Sequence, residues 1–299
     1  MRKKLLTTSS EGLMEDSYPY QLYQKAKKFG IWNPQDINFS QDQEDWKTLS
    51  VKEKDWVLKL LAQFQGGEEA VTLDLLPLLR VIAREGRLEE EMFLTTFLCD
   101  EAKHTEFFRL VLNAIGEKGD LSHLHSESYR KFFYEILPET MERLWHEQTP
   151  EVIADAATVY NMFAEGVLAE TGYKSFYDGL KKIGKMPGLL EGIDHLKKDE
   201  SRHIAYGTFL LQRLICEHPH IFDRVVKKLE ELAPISISLN AEGVIGEGEK
   251  VKEYHSDIKK YSEKQLMVRI EILARAKGQT MEEIYRSTGG NSKLKKGLE

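Results

Sequence analysis

One short motif, D-E-x-x-H, occurs twice in this chain and restricts the folds that the chain can adopt. The first copy begins at Asp100 and the second at Asp199, 99 residues later. On an α-helix, residues three apart lie on nearly the same face, so each copy directs one carboxylate and one imidazole towards a single point. Two such helices that face each other can therefore hold two metal ions between them.

A glutamate precedes each motif at a closely matched distance. Glu68 lies 33 residues before Glu101, and Glu165 lies 35 residues before Glu200. The chain thus repeats a pair of helices, and two antiparallel helix pairs pack into a four-helix bundle whose core can hold a dinuclear metal site. The predicted fold is all-α, a four-helix bundle core with additional helices. The predicted ligands are Glu68, Glu101, His104, Glu165, Glu200 and His203.

The mixture of ligands indicates the metal. Four buried carboxylates cannot all stay ionised without cations beside them. Imidazole favours first-row transition metals, zinc takes fewer ligands, and calcium prefers oxygen. Iron or manganese is therefore expected. Glu69 is an alternative to Glu68 as the first ligand, but the apolar Val71, one turn later, favours Glu68. Asp100 and Asp199 are expected to accept hydrogen bonds from the histidine of the opposite motif.

Long helical patterns fill most of the sequence, and no change in composition divides residues 1–299 into separate domains. Residues 1–18 and 286–299 are expected to be mobile termini. Residues 234–249 contain alternating apolar residues and three glycines, which predicts a short strand pair or an ordered loop. The predicted long helices run over about 50–83, 88–115, 126–145, 151–179, 189–216, 222–232 and 250–276.

Charge and composition exclude several classes of function. The net charge of −7 argues against nucleic-acid binding, which usually needs a basic patch. No uninterrupted apolar run approaches the roughly 20 residues of a membrane span, so none is expected. The basic N-terminus lacks the apolar segment of a signal peptide. The two cysteines, Cys99 and Cys216, belong to no metal or redox motif. A cytoplasmic protein is predicted.

The two Glu…D-E-x-x-H repeats resemble those of the ferritin-like, ribonucleotide reductase R2-like superfamily, and the resemblance covers roughly residues 50–220. R2 subunits that carry a tyrosyl radical typically have a tyrosine four residues after the first motif's histidine, where this chain has Phe108. The R2c class and the R2-like ligand-binding oxidases have phenylalanine at this position, and Phe108 resembles them in this respect. Two further residues favour the oxidases, in which a valine three residues after the first glutamate ligand is ether-linked to a tyrosine five residues before the third. Val71 and Tyr160 have these spacings.

The resemblance implies an O2-activating oxidase that assembles one manganese and one iron ion, with a di-iron pair as the alternative. It places manganese with Glu68, Glu101 and His104, and iron with Glu165, Glu200 and His203. It also implies an ether bond between Val71 and Tyr160, a long-chain fatty acid whose carboxylate bridges the metals, and a homodimer. Tyr173 and Ala169 are expected to lie at the ligand pocket.

Helix geometry adds one condition to the cross-link. Five residues advance an α-helix by about 500°, so Tyr160 would point roughly 140° away from Glu165. A π-bulge between them would bring both side chains to the same side, and such bulges are frequent at functional sites.

Three alternatives remain open at this stage. An R2c-like radical-storing subunit of ribonucleotide reductase would need a docking tail, whereas residues 289–299 contain no aromatic residue. A ferritin-like iron-storage protein is usually built from shorter subunits. A fatty-acid-binding protein without turnover would form the cross-link only once, by modifying itself.

Overall fold

The computed structural model describes residues 12–242 and 249–286, and these residues contain helices and no strand. We number the longer helices in chain order and treat π-helical turns as part of the helix that contains them. The helices are α1 (Tyr18–Phe29), α2 (Ser40–Thr48), α3 (Val51–Arg84), α4 (Leu88–Ala114), α5 (Glu127–Glu142), α6 (Pro150–Lys181), α7 (Pro187–Glu217), α8 (Ile221–Glu242), α9 (Glu249–Ala274) and α10 (Met281–Arg286). The predicted all-α fold is confirmed.

The four-helix core consists of α3, α4, α6 and α7, which carry the two Glu…D-E-x-x-H repeats. Helix α3 begins with a capping box, in which the Ser50 hydroxyl accepts from the backbone N–H of Glu53 and the Glu53 carboxylate accepts from the N–H of Ser50. It then continues for 34 residues, through Gly66, Gly67 and Pro77. The remaining helices pack around this core.

Helix α6 changes from α-helical to π-helical winding near Tyr160 and Glu165. Its first part, Pro150–Ala157, is α-helical, and Thr158–Ala169 is π-helical. A π-helical segment therefore lies between Tyr160 and Glu165, where the ether hypothesis needs a bulge. Helix α6 is also the one described helix long and apolar enough to cross a membrane, but 89% of its most apolar window is buried inside the protein.

The prediction of a strand pair or loop over residues 234–249 is wrong for the residues that the structure describes. Helix α8 continues through Pro234 to Glu242. The alternating pattern does not match burial, because Ser236 is buried whereas Ile237 is 42% exposed. A short apolar alternation cannot by itself separate a strand from a helix that packs on one side.

The prediction of mobile termini falls largely outside the described residues. Residues 1–11, 243–248 and 287–299 are not described, so the expectation of mobile termini stays a prediction there. Ser17, which belonged to the predicted N-terminal segment, is buried and caps α1 by accepting from the backbone N–H of Tyr20.

Candidate metal centre

The six predicted ligands meet in the middle of the bundle as two overlapping groups. Within each group the ligand atoms lie within 4.8 Å of one another, and every member is buried. The first group is Glu68, Glu101, His104 and Glu200, and the second is Glu101, Glu165, Glu200 and His203. Glu101 and Glu200 belong to both groups, so these two carboxylates can each reach two ions.

The imidazoles mark the two positions. Nδ1 of His104 lies 3.5 Å from a carboxylate oxygen of Glu68, of Glu101 and of Glu200. Nδ1 of His203 lies 3.1 Å from Glu101, 3.6 Å from Glu200 and 3.7 Å from Glu165. Each Nδ1 therefore faces three carboxylates, which surround a point suited to a cation.

Six of the atoms that face these points have no hydrogen-bond partner among the described residues. They are Nδ1 of His104 and His203, both side-chain oxygens of Glu101, Oε1 of Glu165 and Oε2 of Glu200. Buried polar atoms are nearly always hydrogen-bonded, and an exception needs an explanation such as an ion. The donor set, four carboxylates and two imidazoles, is the set that iron and manganese accept. The residues therefore fit a dinuclear centre.

The structure distinguishes between the two candidates for the first ligand. Glu68 is buried and belongs to the first group, whereas Glu69 is exposed and accepts a hydrogen bond from Gln65. Glu68 is thus the residue that reaches the centre.

The pKa shifts of the buried ligands indicate that the centre needs additional positive charge. Burial raises the pKa of Glu68 to about 8. Burial opposes ionisation of Glu101 as well, but contacts with His104 and His203 outweigh it and lower the pKa of Glu101 to about 2. Burial also opposes charge on His104, yet Asp199, Glu101 and Glu68 raise its pKa well above the ordinary value. The centre thus attracts protons strongly, and a cation would be attracted for the same reason.

The aspartate of each motif contacts the histidine of the other. Oδ2 of Asp199 lies 3.3 Å from Nε2 of His104, and Oδ2 of Asp100 lies 3.4 Å from Nε2 of His203. An ionised carboxylate can only accept, so each Nε2 carries the hydrogen and each Nδ1 keeps its lone pair for a metal.

Two basic residues hold these aspartates. Lys103 Nζ lies 2.8 Å from Asp100 and 3.3 Å from Asp199, and Arg202 contacts both aspartates as well. The basic residues occupy the second variable position of each motif. We did not predict this role from the sequence, although the shared position offered a signal.

Trp32 is a further residue that sequence reasoning missed. Its indole N–H donates to Asp199 at 2.7 Å, and its ring stacks on His195 with centroids 5.0 Å apart. It lies in the turn after α1, 167 residues from Asp199, and no local pattern could have paired the two. His125, just before α5, contacts the carbonyl of Ala62 at 2.9 Å.

The residues predicted for the cross-link are in contact. The Tyr160 hydroxyl donates to the backbone carbonyl of Val71 at 2.9 Å, and Tyr160 is fully buried. Val71 also lines a cavity that opens onto Glu68, Glu101, Glu165 and Glu200.

This cavity, of about 110 Å³, has a mostly apolar lining, to which the four glutamates also belong. Ala169 lines it as well. Tyr173 does not line the cavity; it stacks on Phe64, which does, and its hydroxyl lies 3.5 Å from Glu200. Leu239 and Ile258, from α8 and α9, line it as well.

The chain matches one family model and several solved structures. Residues 13–245 match the family model described as ribonucleotide reductase, small chain. Among solved structures, a valine-to-leucine variant of an R2-like ligand-binding oxidase, with an anaerobically reconstituted Mn/Fe cofactor, is 42% identical with a TM-score of 0.85. That match covers 91% of this chain and 98% of the other.

Two further variants of such oxidases are similar. A tyrosine-to-phenylalanine variant with an anaerobically reconstituted Mn/Fe cofactor is 41% identical, with a TM-score of 0.85 and coverage of 91% and 98%. A glycine-to-phenylalanine variant with an aerobically reconstituted cofactor is 41% identical, with a TM-score of 0.82 and coverage of 87% and 98%. The chain therefore belongs to the R2-like ligand-binding oxidases, which are oxidoreductases within the ribonucleotide reductase small-chain family.

Proposed function

We propose that the protein is an O2-activating oxidase that holds one manganese and one iron ion. The observation that carries the proposal is the buried cluster whose unpartnered ligand atoms all face two points. Similar oxidases carry a Mn/Fe cofactor, which supports this pair of metals. Manganese would be held by Glu68, Glu101 and His104, and iron by Glu165, Glu200 and His203. When bound, the pair supplies an oxidant derived from O2.

The first substrate of this oxidant is the protein itself. In the proposed step, Val71 Cβ loses one hydrogen atom, the Tyr160 hydroxyl loses another, and the carbon and oxygen join as an ether. The two electrons and two protons go to O2. The hydrogen bond from Tyr160 to the Val71 carbonyl supports this pairing, because it holds the phenol oxygen beside that residue. Burial raises the pKa of Tyr160 well above its ordinary value, so the phenol keeps this proton until the reaction.

The ligand proposed for the cavity is a long-chain fatty acid. Its carboxylate would lie among Glu68, Glu101, Glu165 and Glu200, where two metal ions supply the compensating charge, and its chain would contact apolar residues such as Leu60 and Leu168. The cavity of about 110 Å³ is smaller than the roughly 300 Å³ of small ligand pockets. We therefore expect α8 and α9 to move outward when a long chain binds.

The proposed assembly is a homodimer formed through the outer face of α3 and α4. Leu73 and Leu76 are 65% and 39% exposed on α3, and Thr95, Cys99 and Ala102 are exposed on α4, which packs against α3. These five side chains are uncharged, and residues at the core of an interface between copies are usually uncharged as well. Both cysteines are unpaired, which fits the proposed cytoplasmic location.

Intact mass and metal content test the oxidase. The metal-free chain is loaded with Mn²⁺ and Fe²⁺ under nitrogen, and one half is then exposed to O2. We expect one manganese and one iron per chain in both halves. We also expect the loss of two hydrogen atoms after O2 only, localised to peptides with Val71 and Tyr160. An unchanged mass after O2 contradicts self-oxidation. Full metal content in both Glu101→Ala and Glu200→Ala variants contradicts the site.

A further inference from the structure

The centre has two halves, the first with Glu68, Glu101 and His104 and the second with Glu165, Glu200 and His203. The two halves use equivalent ligands, but their surroundings differ at two equivalent positions. In the first half, the residue four before Glu68 is Phe64 and the residue four after His104 is Phe108. These two rings stack with centroids 5.1 Å apart. The internal repeat therefore has an aromatic pair at this place in its first copy.

In the second half the same positions hold an amide and a glycine. The residue four before Glu165 is Asn161, and the residue four after His203 is Gly207. A Cβ atom added to Gly207 would overlap the Asn161 side chain. Glycine at this position of α7 is thus what leaves room for Asn161 on α6.

Asn161 forms a hydrogen bond with Glu165, the metal ligand on the same helix. It is fully buried, and its Nδ2 donates to Oε2 of Glu165 at 3.0 Å. The orientation of the amide is set by this contact, because its oxygen would repel a carboxylate. The Asn161 oxygen then has no partner. A buried acceptor without a partner weakens folding, so stability does not explain why an amide occupies this place.

The hydrogen bond makes Glu165 differ from Glu68. It occupies one oxygen of Glu165 and leaves only Oε1 free, 3.7 Å from Nδ1 of His203. Since Phe64 cannot donate, Glu68 has no such contact from its own helix. Partners of this kind usually affect metal affinity as well as ligand orientation.

We propose that the Asn161–Gly207 pair, set against Phe64–Phe108 in the other half, makes the two metal positions chemically unequal and so helps them to select different metals. Asn161 acts as a positioning residue, because it touches Glu165 and not the metal. The inference rests on the proposed dinuclear centre.

Four full-length proteins test it, each prepared without metal and titrated anaerobically with Mn²⁺ alone and with Fe²⁺ alone. They are the wild type, Asn161→Leu, Gly207→Ala and the control Thr158→Val. Asn161→Leu removes the donor and keeps the branched shape of the side chain, and Gly207→Ala displaces the amide without changing it. Thr158→Val removes a different buried hydrogen bond, to the Ala154 carbonyl, at the start of the same π-helical segment.

We expect two ions per chain in the wild type and in Thr158→Val. Asn161→Leu and Gly207→Ala should weaken one position about tenfold and leave the other unchanged. Repeating the titration with Glu68→Gln added, which removes the first position, should show that the weakened position is the one at Glu165. After loading with equal Mn²⁺ and Fe²⁺, both variants should depart from the wild-type metal ratio and from its electron paramagnetic resonance spectrum.

Other outcomes overturn the inference. Wild-type affinities and metal ratio in Asn161→Leu and Gly207→Ala would show that the pair selects nothing. Equal weakening of both positions, or the same change in Thr158→Val, would show a general effect on packing. If Asn161→Leu fails to fold, Gly207→Ala decides alone. A wild-type chain that does not bind two ions would instead contradict the proposed function.

Discussion

Replacing Asp199 by asparagine should weaken both the fold and the metal position at His104. Asp199 is fully buried and contacts four donors: Trp32 at 2.7 Å, His104 and Lys103 at 3.3 Å, and Arg202. The amide keeps the shape but loses the charge, so Arg202 and Lys103 keep only Asp100 as a charged partner. Breaking a buried ion pair usually costs about 3–5 kcal/mol. We expect a loss of unfolding free energy in that range.

The matched variant is Asp100→Asn, in the other half of the same network. Asp100 contacts three donors, Lys103, Arg202 and His203, and lacks a partner equivalent to Trp32. Its loss should therefore be smaller. Glu135→Gln, which breaks an exposed pair with Lys131, should leave stability nearly unchanged. Urea unfolding of chelator-treated protein measures all three.

The same variant has a defined pH dependence. Burial acts to raise the pKa of Asp199, but His104, Arg202 and Lys103 outweigh it and hold the pKa well below the ordinary value. A carboxyl with a lowered folded pKa adds stability above its unfolded pKa, near about 3.9, and this contribution is lost as the pH falls towards the folded pKa. The contribution of this carboxyl should therefore be constant from pH 7 to about 5, and the difference between wild type and Asp199→Asn should shrink below about 4.

Metal binding gives a second readout. Loss of the carboxylate that holds a ligating histidine usually lowers metal affinity about 10- to 100-fold. A loss of stability below about 1 kcal/mol, which is the range of exposed pairs, would contradict the role of Asp199 in a buried ion-pair network. So would a larger loss in Asp100→Asn than in Asp199→Asn.

Three further predictions test separate parts of the protein. Tyr160→Phe should keep both metals but show no change of mass after O2, since the ether oxygen is absent; a loss of two hydrogen atoms would contradict the assignment. Glu68→Gln should lower the metal content of the chain, whereas Glu69→Gln should not, because only Glu68 reaches the centre. Gly192→Ala should cost about 1–3 kcal/mol in urea unfolding, because its methyl group would overlap the Phe107 ring, and an unchanged midpoint would contradict this packing.

The sequence predicted the helices of the bundle and the meeting of six ligands, because both depend on local geometry. The offset of three residues between Glu101 and His104 fixes their common face whatever the rest of the chain does. The same offset in the second motif, with a glutamate before each, was enough to assign antiparallel helix pairs. The choice of Glu68 over Glu69 also followed from the neighbouring apolar residue.

Long-range contacts outside the repeated motifs could not be obtained in this way. Trp32 lies in a turn and reaches Asp199 across 167 residues, and no periodicity connects the two. The helical state of residues 234–242 depends on packing of α8 against neighbouring helices, which buries Ser236 and leaves Ile237 exposed. Apolar alternation indicated a strand there because it reports residue types and not contacts.

The charges of the centre explain why the second variable position of both motifs is basic. Asp100 and Asp199 contribute −2, and Lys103 and Arg202, which contact both of them, contribute +2, so this outer layer is neutral. The four ionised glutamates contribute −4, and two divalent ions contribute +4, so the inner layer is neutral with two metals and must take up protons to be neutral with one. A buried site of this kind favours complete occupancy, since each unbalanced charge is costly away from water. Oxidation of both ions to the trivalent state would add +2, and a ligand carboxylate together with a hydroxide would balance it. The same arithmetic that requires two ions thus favours an anionic ligand in the oxidised protein.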